Sequence, residues 1–315
     1  MTLPSHTSIP GYEAPDLNKT IAKSKLFDRI FMILGVLSLA IALVTLLAMI
    51  GKLFIDGAPK LDLAFLSSFP SSKAASAGVL SAWVGSALVI LVTALVSVPM
   101  GVAAAIYLEE YAQKGWLSDL IEINVTNLAG VPSIIYGLLG LGLFKYGLGL
   151  GQSIATAGLT LSLLVLPVVI VTTREGIRSI PSSIREAAYA VGATKWQVIW
   201  DHILPYSTGT ILTGVIVAIS RAFGETAPLI TIGALTFIAF LPDSPFQSSF
   251  PYISFDWLLS GFTVLPIQMF DWVNRPDPEF QQNAAAAGIV IIAMTLLMNG
   301  VAIYFRYRLR RSIKW

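Results

Sequence analysis

Along the chain, long apolar runs alternate with short polar stretches. A helix needs about 20 residues to cross roughly 30 Å of hydrocarbon. Six runs reach that length: residues 30–50, 79–108, 125–146, 154–173, 211–241 and 284–304. The pattern predicts an all-α integral membrane protein with six transmembrane helices. A further apolar stretch, 257–273, is short and carries Pro266, and counting it as a span would leave five C-terminal basic residues on the opposite face. It reads instead as amphipathic structure in an outer loop, 242–283, that also holds Asp243, Asp256, Asp271, Asp277 and Glu279. Those acids and aromatics suit docking of a soluble partner, and a helix lying on the bilayer surface fits equally well.

Charge orients the spans. Six crossings put both termini on one side. That side collects Lys19, Lys23, Lys25, Arg29, Lys114, Arg174, Arg178, Arg185, Lys195 and the basic residues of 306–315, against Lys52, Lys60, Lys73, Lys145 and Arg275 on the other. Basic loops stay in the cytoplasm, so both termini are expected there. The expected organisation is a flexible cytoplasmic tail (1–24, with Pro4, Pro10 and Pro15), a first transmembrane helix with its outer loop (25–77), a transmembrane domain (78–305) and a basic cytoplasmic tail (306–315). The first run is longer than the core of a secretion signal and reads as a retained span.

Composition supports the membrane reading and removes several chemistries. Hydrophobic residues make up 55% of the 315 positions and charged residues 12%, where a soluble domain is about a quarter charged. The net charge of +2 is too small to imply nucleic-acid binding. With no cysteine and only His6 and His202, the chain offers no disulfide, thiolate or paired-histidine metal site. It contains no G-x-x-x-x-G-K-[ST] phosphate loop, so any ATP and Mg²⁺ must be held by another chain.

Two stretches carry candidate chemistry. The loop "SIPSSIREAAYAVGATKWQVIWDHILP" (179–205) joins spans four and five. Ser183 and Glu186 have capping-box spacing for a first helix, and Gly192 can end it in the left-handed conformation. Thr194 can cap a second helix from 195 to about 203, which Pro205 would close. Ala187, Ala188 and Ala190 are small enough to let the first helix lie in a partner's groove, although a capped alanine-rich helix is as readily a stable surface element. In span five, "AISRAFGETAPLI" places Arg221 and Glu225 four residues apart, on one helical face. Each mid-membrane charge costs about 2.5–3.5 kcal/mol to insert. One reading is a buried ion pair that fixes helix register. The functional reading is an anion site in which the planar guanidinium grips an oxyanion edge while Glu225 holds the fork ready. Gly224 and Pro228 should bend or break the helix beside it, and Thr226 adds a hydroxyl.

The two stretches resemble one family. "EAAYAVG…ILP" is similar to the EAA loop of ABC-importer permeases, with His202 at the position where that pattern has isoleucine. "RAFGETAPL" (221–229), "GVPSIIYGLLG" (130–140), "YLEEYA" (107–112) and "QNAAAAGIVI" (282–291) resemble permease subunits of the phosphate ABC importer. The resemblance implies a MetI-like permease core with cytoplasmic coupling helices. It implies a phosphate path through Arg221, Glu225 and Thr226, and ATPase coupling through Arg185, Glu186, Ala187, Ala188, Gly192, Leu204 and Pro205. The implied partners are a homologous permease, two ATPase subunits, an external phosphate-binding protein, inorganic phosphate and membrane lipid. A permease for sulfate or molybdate, or a membrane channel or regulator that uses no ATP, are the alternatives. The small residues Gly130, Ser133, Gly137 and Gly140 present a face for close helix packing, against a partner subunit or along the path.

Overall fold

The computed structural model describes residues 17–113, 115–244 and 252–311. The helices are α1 (Leu17–Gly57), α2 (Leu63–Ser67), α3 (Leu80–Ile106), α4 (Trp116–Leu128), α5 (Ser133–Gly140), α6 (Ile154–Arg178), α7 (Ser182–Ala190), α8 (Lys195–Gln197), α9 (Leu204–Gly224), α10 (Ala227–Ile232), α11 (Leu265–Val273) and α12 (Pro278–Arg311). π-Helical turns extend α3 (Tyr107–Tyr111), extend α5 (Leu141–Gly147) and join α8 to α9 (Val198–Ile203).

Among the described residues, five helices are long and apolar enough to cross a membrane, and α4 with α5 makes a sixth if that bent pair is one span. The third run is therefore not the straight helix its hydropathy predicts. It turns by 104° between Leu128 and Ser133. Pro132 has no N–H to continue the ladder and forces Val131 away from helical geometry, while Gly130 and Val131 close the turn on the carbonyls of Asn127 and Leu128. Both ends of the chain differ from expectation. Helix α1 begins at Leu17, inside the stretch read as tail, and α12 continues to Arg311, through most of the basic tail. Residues 1–16 and 312–315 lie outside the described part.

The described residues form two units divided between Lys52 and Leu53. The first is most of α1, a single apolar helix. In the second, α3 lies along α6, α6 along α9, and α12 against α9 and α11. Glycines set the spacing. A Cβ on Gly101 would come within 2.7 Å of the Val169 side chain, one on Gly158 within 2.5 Å of Val92, and one on Gly214 would strike Thr172. Bare backbone at these crossings lets α3, α6 and α9 approach closely, which maximises dispersion contact where no hydrophobic effect drives association. The resulting core includes Val89, Leu161, Val165, Ala218, Leu229 and Ala286.

The 257–273 segment is not a span, as expected, but neither is it a surface helix. Phe262, Leu265, Ile267 and Trp272 are buried in the main core, and the Leu265 N–H donates to Ser86 Oγ at 2.9 Å. Of the acids expected to form a docking face, Asp271 pairs with Arg275 at 2.7 Å, and the Arg275 guanidinium lies 4.4 Å from the Phe280 ring centre.

Close packing at Gly158 is testable against an open glycine. Gly158→Leu should lower the melting temperature in detergent by several degrees, from about 1–3 kcal/mol of overpacking. Gly209→Ala, with no heavy atom within 4 Å of the new methyl, should leave it unchanged or raise it. Equal melting of the two variants would contradict the packing.

Candidate functional site

Two groups of residues come together, at opposite ends of one helical run. The first surrounds Arg221. Helix α9 stops at Gly224, and Glu225 takes an extended conformation (φ −77°, ψ 122°). Thr226 then accepts from the N–H groups of Leu229 and Ile230 at 3.1 and 3.0 Å, and α10 begins with Pro228 in its first turn. Although Glu225 lies off the helix, its Oε1 is 3.3 Å from Arg221 Nε. The pair is not buried within this chain: 43% of the Arg221 side chain and 18% of the Glu225 side chain are exposed. The sequence left two readings, a buried ion pair that fixes helix register and an anion site beside a helix break. The structure sets it on an open face because the ladder breaks beside it and α10 leads the chain away.

The break is held from behind. Pro228 and Leu229 are buried. Gly137 of α5 lies against α10 so tightly that a Cβ there would come within 2.7 Å of Pro228 Cα and 2.8 Å of Thr231 Cβ. Gly140, one turn on, meets Thr160 of α6. The small-residue face of α5 thus packs inside this chain, and it brings the "GVPSIIYGLLG" and "RAFGETAPL" segments into contact. Tyr136, buried on α5, donates to the Leu128 carbonyl at 2.7 Å. At the far end of α10, Lys145 donates to the Ile232 carbonyl at 3.1 Å.

The second group is the 179–205 loop. Helix α7 starts at Ser182 with Pro181 as its cap, so Ser183 is already inside the helix and the expected Ser183–Glu186 capping box does not form. The exit is as the sequence predicts. Gly192 has φ +87°, its N–H donates to the Tyr189 carbonyl, and the Ala193 N–H donates to the Ala188 carbonyl. That pair of bonds is a Schellman motif. Thr194 caps α8, and here a full capping box closes with Gln197. Pro205 does not end this helix. The preceding π-turn shifts the Leu204 N–H to the Ile199 carbonyl, so the missing proline donor is absorbed and Lys195–Gly224 runs as 30 continuous residues.

Burial sorts the loop residues. Glu186, Ala187, Gly192, Tyr189, Val191, Trp196 and Trp200 are exposed, and the two tryptophan rings stack with centroids 5.6 Å apart. Ala188 is buried in a second small core with Ile177, Ile180, Val198, Ile199 and Ile203, against which Leu204 also packs. Arg185 does not face outward. It donates to Glu110 Oε1 at 3.0–3.1 Å and to the carbonyls of Ile177 and Ile180. Glu109, Glu110 and Glu122 were not singled out from sequence, yet they hold Arg174, Arg178 and Arg185. Two acids ending an apolar span opposite a basic loop were the available signal.

The cost of the left-handed turn is measurable. Nothing crowds a methyl at either Gly192 or Gly224, but only Gly192 has positive φ. Gly192→Ala should therefore cost about 1–2 kcal/mol locally, seen as roughly tenfold faster amide exchange at the end of α7, while Gly224→Ala should leave exchange unchanged.

Residues 97–315 match the family described as binding-protein-dependent transport system inner membrane component. Over 279 residues, 87% of this chain and 88% of the relative, the sequence is 32% identical to the phosphate transport system permease protein PstA of Yersinia pestis. It is 30% identical to the permease protein PstC of Xylella fastidiosa over 253 residues, 71% of this chain and 76% of that one. The backbone superposes on a chain of a bacterial alginate ABC transporter solved with its periplasmic protein, with TM-score 0.61 and 15% identity, covering 93% of this chain and 97% of that one. The chain thus belongs to the multi-pass inner-membrane permease subunits of binding-protein-dependent ABC transport systems.

Proposed function

We propose that this permease subunit imports inorganic phosphate, with Arg221 as the group that meets the anion. The observation that carries the reading is the Arg221–Glu225 pair on an open face at a break in the helical run, with the 179–205 loop at the other end of that run. One wall of a path between two subunits needs such an open face, and a homologous, PstC-like permease would supply the other wall. A pair of ATPase subunits, holding ATP and Mg²⁺, docks on Glu186–Gly192. An external phosphate-binding protein delivers the cargo. Both termini lie in the cytoplasm, as the basic loops require. Membership of this family supports an ATP-driven permease over a channel that uses no ATP.

The chemistry favours phosphate over sulfate. The guanidinium fork donates two parallel hydrogen bonds to one oxyanion edge. Glu225 beside it repels a fully ionised anion. Phosphate at neutral pH keeps a proton and can donate it in a hydrogen bond to the carboxylate, while sulfate has none to offer. The same carboxylate competes for Arg221, so the anion is held loosely enough to leave, as conduction requires. ATP-driven closure of the ATPases moves the loop, and differential affinity for ATP between the two states supplies the work.

In membrane vesicles, Arg221→Lys should cut labelled-phosphate uptake more than tenfold, because an ammonium offers no fork. Arsenate should compete with uptake and sulfate should not, and Glu225→Gln should narrow that discrimination. Full transport by Arg221→Lys would reduce the residue to a structural role, and stronger competition by sulfate than arsenate would move the cargo to another oxyanion.

A further inference from the structure

Three consecutive residues at the end of α3 reach three different elements. The π-turn Tyr107–Tyr111, closed by the Ala112 N–H on the Tyr107 carbonyl at 2.8 Å, fans them apart. Glu109 Oε1 lies 2.8 Å from both Arg174 Nε and Arg178 Nε, at the end of α6. Glu110 Oε1 lies 3.0 Å from Arg185 Nη2 on α7, and its side chain is only 8% exposed. The Tyr111 ring lies under Lys195 Nζ of α8, 4.7 Å from the centroid. Glu122 of α4 reaches the same two α6 arginines. Arg185 also donates to the Ile177 and Ile180 carbonyls, so the base of α7 is fastened to α3 and to the end of α6 together.

We propose that Glu109, Glu110 and Tyr111 are positioning residues that clamp α3 to the α7–α8 pair, so that movement of the pair displaces α3 and α6 along with α9. This rests on the reading of α7–α8 as the ATPase-docking element. Without the clamp the pair connects onward through the Lys195–Gly224 run, the short link to α6 and the small core, where Ile177 of α6 and Ile106 of α3 make apolar contact. With it, directional charged contacts also carry a displacement into α3 and α6. The chain needs this because α3 and α6 touch closely at Gly101 and Gly158, where sliding of one past the other would drive backbone into Val169 and Val92.

The chain has no cysteine, so sites introduced in it can be labelled with no competing thiol of its own, once any accessible cysteines of the partner chains are replaced. Spin labels at Y107C and S183C, both exposed positions, report the distance between the end of α3 and the start of α7. That distance should be the same in nucleotide-free and ATP–vanadate-trapped transporter, and Glu110→Gln should make it differ between the two states. Phosphate moved per ATP hydrolysed should fall at least fivefold in Glu110→Gln, with hydrolysis itself retained. A distance that changes on trapping in the unaltered clamp, or an unchanged transport ratio in Glu110→Gln, overturns the proposal. If Glu110→Gln does not assemble, Lys195→Met decides, since Lys195 is exposed: a ratio about twofold lower supports the clamp and an unchanged ratio overturns it. The distance arm needs no cargo, so a transporter that hydrolyses ATP but carries no phosphate would refute the substrate assignment while still judging the clamp.

Discussion

The helical run from Lys195 to Gly224 is the constraint on which the rest depends. At 1.5 Å per residue its 30 residues span about 45 Å, longer than the hydrocarbon layer is thick. One end adjoins α7, and Arg221 lies in the last helical turn of the other. A rigid rod transmits a displacement without attenuation, provided nothing along it yields. Pro205 is the point where it would yield, and the π-turn at Val198–Ile203 repairs that point by moving the hydrogen-bond register one residue. The small core around Ile199 and Ile203 then keeps the repaired segment from flexing.

The rod lends significance to otherwise ordinary packing. Gly214 at the α6–α9 crossing and Gly137 under α10 bring neighbouring chain against the rod or its continuation, and Gly101 and Gly158 do the same between α3 and α6. Each replaces a side chain that would act as a soft spacer. Close packing leaves little slack around the rod, and among the described residues the helical ladder is interrupted, among other places, at the turn before Ser133, the Schellman turn at Gly192 and the two-residue link at Glu225–Thr226.

Much of this was legible in the sequence, and each miss has its own physical cause. Apolar run length located the spans because insertion energy is a property of composition. It could not reveal the 104° turn in the third run, since a bent pair and a straight helix bury similar residues and only Gly130–Pro132 marks the difference. Capping chemistry was read correctly at Thr194 and Gly192, where the local residues decide the outcome. It was read wrongly at Ser183, where Pro181 starts the helix early, and at Pro205, where the preceding π-turn overrides the proline. The Arg221–Glu225 pairing was legible from spacing. The extent of its exposure was not, because spacing along one helix does not say which neighbouring helices flank the pair. The acids at Glu109 and Glu110 escaped notice because their partners are 65 and 75 residues away.

Glu225 belongs to the link and Arg221 to the rod, so two backbones set the geometry of one ion pair. A carboxylate on the same helix would be placed by that helix alone. Here the Glu225 N–H still bonds to the Ala222 carbonyl while the buried Pro228 and Leu229 anchor the far side, and any shift of α10 against α9 would change the distance between the two charges.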